Sequence, residues 1–95
     1  MAKGYWIAHV TVTKPEQYQD YVALSRAAFI KYGANILARG GQHAGLEGNN
    51  RARNVLIEFE SFQKALDCYA SEEYQAAKAR RRGAGEADIV IVEGV

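Results

Sequence analysis

The hydrophobic positions first follow the two-residue spacing of a strand and then the three-and-four spacing of a helix. Residues 5–12 are rich in β-forming side chains, and Pro15 suits the first turn of a helix because its φ is already near the helical value. Over residues 16–32 the large side chains recur at intervals of three and four, which places them on one helix face. Gly33 follows where helices commonly end in a left-handed residue. This segment predicts a strand followed by a helix.

The middle of the chain predicts a β-hairpin. Residues 35–39 return to strand character, and Gly40 with Gly41 predicts a bulge, because residues without side chains weaken and bend a strand. Residues 45–53 are rich in glycine and asparagine, which favour turns. Residues 55–59 are then expected to return as the third strand.

The last third of the chain predicts helical structure and a final strand. Ser61 is a predicted helix cap, and Ser71, which two glutamates follow, marks a second helix start. Helical structure is expected to continue to about Arg82, with a break over residues 83–85 and an apolar strand over residues 88–92. The order β-α-β-β-α-β places both helical regions on one face of a four-stranded antiparallel sheet. We therefore predict an α+β, ferredoxin-like fold, with residues 1–95 as a single domain.

The predicted strands sort their side chains into two sheet faces. One face is apolar and is expected to meet the helices; it holds Trp6, Ala8, Val10, Val12, Val55, Ile57 and Phe59. The opposite face mixes apolar and polar groups: Tyr5, Ile7, His9, Thr11, Leu37, Arg39, Leu56, Glu58, Ile89 and Ile91. Left bare, this second face would expose an apolar patch of the kind that soluble monomers avoid. The pattern therefore predicts a homodimer whose sheets face each other across His9, Glu58, Ile89 and Ile91.

Composition limits the classes of partner. Twelve basic and eleven acidic residues leave a net charge of +1, far from the positive field of a protein that neutralises several phosphates, so no nucleic-acid partner is expected. The one cysteine, Cys68, excludes an intramolecular disulfide and fits a reducing compartment, so we expect a cytoplasmic protein. No segment has the character of a membrane span or a secretory signal, and no membrane partner is expected.

Five segments, taken in order, resemble a known family: GYWIAHVTVTKPEQYQDY, KYGANILARGG, VLIEFESFQKAL, SEEYQAAKARR and IVEGV. Together they are similar to the bacterial family catalogued as domain of unknown function 1330, over essentially the whole chain. The resemblance implies a dimeric α+β barrel, in a superfamily that also holds cofactor-free monooxygenases, muconolactone isomerase-like enzymes and proteins with no known activity. Two positions depart from the family pattern. Lys14 stands where an acidic helix cap is common, and Cys68 stands where a large aromatic residue is common.

Aromatic and basic side chains supply the candidate binding groups. Tyrosines at helical spacing either pack in the core or line a pocket, and their hydroxyls, which need partners or water, favour a partly wet cleft. Arginines near the hairpin either gather around an anionic ligand, together with Arg51, or remain solvated. The run of three arginines over residues 80–82 is interpreted as structural, because positive charge suits a helix C-terminus. The candidate ligand-binding residues are Tyr18, Tyr21, Arg39, Arg53, Tyr69 and Tyr74.

His9 or a tyrosine is the candidate proton carrier, and His9 is the most chemically able, because imidazole exchanges a proton near neutral pH and Glu58 or Arg39 would tune it. The alternative is a hydrogen-bonded histidine in the dimer interface. No paired metal ligands, nucleophile motif, phosphate loop or dinucleotide fingerprint is present, so neither a metal nor a cofactor is expected. Three functions stay open: a homodimer that binds a small aromatic or carboxylated molecule, a cofactor-free monooxygenase or isomerase, and a structural or regulatory dimer without catalysis.

Overall fold

The computed structural model, which describes residues 2–95, has the predicted α+β order, with the second helical region divided in two. The elements are β1 Gly4–Val12, α1 Pro15–Lys31, β2 Asn35–Arg39, β3 Arg53–Phe59, α2 Phe62–Ala70, α3 Glu72–Arg81 and β4 Gly85–Glu93. The sheet is antiparallel, in the order β2-β3-β1-β4. This is the ferredoxin-like arrangement that the sequence predicts, although β3 and β4 begin earlier than expected. No helix among residues 2–95 is long and apolar enough to cross a membrane.

Short polar residues and a glycine set the limits of the helices, as predicted. The Ser61 hydroxyl accepts a hydrogen bond from the Lys64 amide at 3.0 Å, at the start of α2. Ser71 ends α2 and also begins α3, where its hydroxyl accepts from the Tyr74 amide at 3.1 Å. Gly33 adopts a φ of 68° just after α1, which a residue with a side chain seldom adopts.

The predicted face of β4 is wrong. Ile91 pairs with Trp6 and Ile89 pairs with Ala8, and directly paired residues share a sheet face, so both isoleucines lie on the helix-covered side. Val90 and Val92 lie on the outer face instead, where their exposed fractions are 54% and 44%. Residues 89–92 are apolar without alternation, so their sequence carries no signal for which side is buried.

The strand β2 also differs from its prediction. Its bulge lies between Ile36 and Ala38 and not at Gly40 and Gly41. The extra residue changes the register, so that Arg39 pairs with Val55 and lies on the helix-covered face rather than the outer one.

Trp6 is the centre of the core. Its ring lies between 4.9 and 5.8 Å, centroid to centroid, from the rings of Phe29, Phe59, Tyr69 and Tyr74. Its indole N–H donates to the Ala65 carbonyl at 3.0 Å. Cys68 is buried in the same layer, and burial raises the pKa of its thiol to about 12, which keeps the thiol protonated and unreactive.

The N-terminus of α1 has no side-chain cap, because Lys14 occupies the N-cap position and makes no capping hydrogen bond. An aspartate there would accept from a first-turn amide and would suit the positive end of the helix dipole. We expect Lys14→Asp to raise the free energy of unfolding by about 1 kcal/mol, measured by urea denaturation. Lys14→Ala removes the same charge without adding a cap and serves as the control. Equal stability of the two variants would contradict this explanation.

Candidate functional site

A cavity of about 360 Å³ lies between the sheet and the helix α1, within the size range of small-molecule sites. Most of its lining is apolar or aromatic: Trp6, Ala8, Val10, Tyr18, Tyr21, Val22, Phe29, Ile30, Ala34, Ile36, Val55, Ile57 and Ile89. The lining residues that solvent reaches most belong to the second half of α1 and to β2; they are Arg26, Ile30, Ile36 and Arg39. The cavity therefore opens to solvent between α1 and β2.

Every charged residue that lines this cavity is an arginine. The four are Arg26, Arg39, Arg53 and Arg81, and no aspartate or glutamate joins them in the lining. The ion pairs found among residues 2–95 include none of these four side chains. In a protein whose net charge is only +1, this is a local concentration of positive charge that favours an anionic ligand.

Arg53 is held at the cavity wall with an unused donor. Its guanidinium lies 5.5 Å from the centre of the Tyr18 ring, a cation–π distance. Its Nε atom is buried and has no hydrogen-bond partner among the described residues. Leaving a buried N–H unpaired costs free energy, so the Arg53 guanidinium keeps unused hydrogen-bonding capacity at this wall.

Arg81, Tyr74 and Tyr21 form a buried polar network at another part of the wall. Arg81 Nη1 donates to the Tyr74 hydroxyl at 3.1 Å, and the hydroxyls of Tyr74 and Tyr21 are 2.8 Å apart. The Arg81 guanidinium lies 4.9 Å from the centre of the Tyr21 ring. Burial raises the pKa of Tyr21 and of Tyr74 above the usual value of a phenol, so both stay neutral. The network therefore contains one uncompensated positive charge.

The structure brings together four of the six predicted binding residues: Tyr18, Tyr21, Arg39 and Arg53. Tyr74 is fully buried behind the wall, where its hydroxyl contacts two lining residues, Tyr21 and Arg81. Tyr69 packs against Trp6 and Tyr74 as a core residue.

Two other arginines lie on different sides of the sheet. Arg51 does not join the cavity, because its guanidinium binds Asp88, Glu86 and Thr11 on the outer side of the sheet. Arg81, interpreted from sequence as structural, lines the cavity. It follows the buried Tyr74 and Ala77 by seven and four positions, so helical spacing alone would have placed it on the same face.

His9 lies on the outer face of the sheet, away from the cavity. It is exposed, and its Nδ1 is 2.6 Å from the Asn54 side-chain oxygen. Neither predicted tuning residue contacts it, since Glu58 accepts a hydrogen bond from the Tyr5 hydroxyl and Arg39 lies on the other face. Within residues 2–95, no group of three or more metal-binding side chains is close enough to hold an ion.

The fold and the site define an α+β protein with a ferredoxin-like sheet and an arginine-rich cavity beneath its helices. The family model described as "Domain of unknown function (DUF1330)" matches residues 3–95, so the chain belongs to that family. Among curated proteins, the comparison found no match.

Several solved structures share the fold. A protein of unknown function from Rhodopseudomonas palustris, RPA0582, is 15% identical, with 99% of this chain and 83% of that chain covered and a TM-score of 0.77. SnoaB, a cofactor-independent oxygenase from Streptomyces nogalater, is 12% identical, with 97% of this chain and 92% of that chain covered and a TM-score of 0.66. A dimeric ferredoxin-like protein of unknown function from Bacteroides fragilis is 14% identical, with 96% of this chain and 95% of that chain covered and a TM-score of 0.57. At these identities the likeness shows the fold alone.

Proposed function

We propose that this protein binds a small organic acid with an apolar or aromatic body in the cavity between α1 and the sheet. The observation that carries the proposal is the lining, which is apolar or aromatic apart from Ser25 and four arginines and contains no carboxylate among the described residues. Guanidinium groups suit carboxylates because their N–H donors match two carboxylate oxygens, while the tyrosine rings offer faces on which a flat ligand stacks.

Thermal unfolding tests the proposal. A ligand that binds only the native protein raises its melting temperature as its concentration rises. We expect aromatic and aliphatic carboxylates to raise it by several degrees, at about 4–8 °C per kcal/mol for a domain of this size, and the matching carboxamides to leave it unchanged. Arg53→Gln is expected to reduce the shift, because one of the cavity's cations is removed. Arg80→Gln removes the same charge from an exposed residue outside the cavity and is expected to keep it. No shift with any acid would contradict the proposal.

A second candidate function is a cofactor-free oxygenase or isomerase. It is supported by the hydroxyl pair of Tyr21 and Tyr74 at the cavity wall, which can hold a proton at a ligand atom, and by the shared fold with SnoaB. His9 is not part of this proposal, because it lies on the other face of the sheet. Oxygen uptake and absorption spectra, recorded with each acid that binds, test for turnover. Activity that Tyr21→Phe does not reduce would remove this residue from the mechanism.

We also propose that two copies pair through the outer face of the sheet to form the dimeric barrel. The apolar groups there are Tyr5, Ile7, Leu56, Val90 and Val92, and a structural relative with this fold is dimeric. In such a dimer the paired His9 and Asn54 side chains belong to the interface rather than to a catalytic centre.

The single buried cysteine supports a reducing compartment, the cytoplasm.

A further inference from the structure

We infer that the ligand carries two anionic groups on one flat, unsaturated frame, with one group at Arg53 and the other at Arg81 beside the Tyr21 hydroxyl. This inference rests on the proposed binding of an organic acid. It specifies how many negative charges the ligand carries and which residues bind each of them.

The first step concerns which arginines need a counter-charge. Arg26 and Arg39 are exposed, so water stabilises their guanidinium groups. Arg53 and Arg81 are half-buried, and the part of the chain that the structure describes offers neither of them an ion pair. A partly desolvated cation without a partner is costly, and an anion that enters the cavity removes that cost. Because there are two such cations, a ligand with two negative groups removes the cost of both.

The second step concerns the hydrogen of the Tyr21 hydroxyl. The Tyr74 hydroxyl oxygen accepts a hydrogen bond from Arg81, and its own hydrogen needs an acceptor because this residue is fully buried. Among residues 2–95, the Tyr21 oxygen is the acceptor within reach, so Tyr74 donates to Tyr21. A hydroxyl has one hydrogen, and that of Tyr21 is then free to point into the cavity. An acidic oxygen of the ligand therefore meets this O–H next to the Arg81 guanidinium.

The third step concerns the arrangement of the two binding points. Arg53 lies over the Tyr18 ring, Arg81 lies over the Tyr21 ring, and these two ring centres are 5.2 Å apart. The Arg53 side chain lines the cavity and forms no ion pair with the described residues, so its guanidinium is available to an acid group. Between the two cations the wall consists of aromatic and aliphatic side chains, which suit a flat hydrocarbon frame.

Isothermal titration calorimetry with defined probes tests this inference. The probes are benzoate, the three benzenedicarboxylates with acid groups at different spacings, and the monomethyl ester of each diacid. We expect at least one diacid to bind about tenfold or more tightly than benzoate and than its own monoester, the factor expected of one additional charge-assisted contact. Each monoester has nearly the size and shape of its parent, so the comparison isolates the second charge.

Variants assign the two charges. Arg53→Gln and Arg81→Gln are each expected to make the diacid and its monoester bind equally, whereas Arg80→Gln keeps the preference. Tyr21→Phe is expected to weaken the diacid about tenfold or more, because one hydrogen bond to a charged group is lost. Arg81→Lys keeps the charge and is expected to retain part of the preference, and it replaces Arg81→Gln if that variant does not fold.

The outcomes separate the two levels of the proposal. Benzoate and the monoesters binding as tightly as every diacid would overturn the two-charge inference and leave the binding of an organic acid intact. A diacid preference that survives both glutamine variants would overturn the assignment to Arg53 and Arg81. No binding by any acid would overturn the proposed function as well.

Discussion

Replacing Trp6 with alanine is expected to remove most of the stability of the protein, lowering its free energy of unfolding by about 4 kcal/mol or more. The side chain is 1% exposed and packs against rings from α1, β3, α2 and α3, so its removal leaves a cavity where the two layers meet. The Ala65 carbonyl, which accepts from the indole N–H, also loses its side-chain donor. The total free energy of unfolding of a domain of this size is only about 5–15 kcal/mol.

Two comparisons make this prediction specific. Trp6→Phe keeps a ring but lacks the indole N–H. It is therefore expected to lower the free energy of unfolding by less, about 1–3 kcal/mol. Ile30→Ala truncates a large side chain that is mostly exposed, and it is expected to cost well under about 1.5 kcal/mol. Trp6 is the single tryptophan, so urea unfolding is followed by far-ultraviolet circular dichroism rather than by fluorescence. Equal losses for Trp6→Ala and Ile30→Ala would contradict its role as the centre of the core.

The order of the elements was predictable because their signals are local. Ser61, Ser71 and Gly33 mark helix ends through hydrogen bonds and dihedral angles that depend on neighbouring residues alone, and the structure confirms all three. The assignment of β1 and β3 to their faces was also correct, because apolar and polar residues alternate in β1 and Glu58 interrupts the apolar run in β3.

The errors arose where position depends on pairing between distant segments. In β4 both alternating sets are apolar, so only the register with β1 decides that Ile91 is buried and Val90 is exposed. In β2 a single bulge moved Arg39 to the cavity side, and no local signal at Ile36 or Ala38 marks it.

The candidate site was predicted only in part, because some of its residues are marked by local periodicity and others are brought together by packing between distant segments. The periodicity of α1 placed Tyr18 and Tyr21 on the face that now lines the cavity. Arg81 was missed because three consecutive arginines present the same chemistry, and only one of them continues the buried stripe of α3. The link from Arg81 through Tyr74 to Tyr21 joins two helices that are distant in sequence, so it required the packed structure.

The corrected face of β4 changes the variant that tests the dimer. Ile91→Glu would place a charge in the layer beneath the helices and would unfold the subunit, which gives no information on assembly. Val90 lies on the outer face instead, opposite Ile7, which in turn lies opposite Leu56 on β3. In a two-fold interface built from this face, Val90→Glu introduces two carboxylates, one from each copy, into an apolar surface that pairing removes from water.

We expect Val90→Glu to weaken the dimer about a hundredfold or more, since each uncompensated charge in such an interface costs several kcal/mol. Sedimentation velocity over a range of micromolar concentrations measures the dissociation constant. Leu24→Glu adds the same charge to a partly exposed position in the helix layer and is expected to remain dimeric. The cavity lies on the helix-covered side of the sheet, away from the outer face, so the monomeric Val90→Glu protein is expected to keep its thermal shift with organic acids. An unmodified protein that is monomeric at these concentrations, or a Val90→Glu protein that dimerises as tightly, would show that copies do not pair through this face.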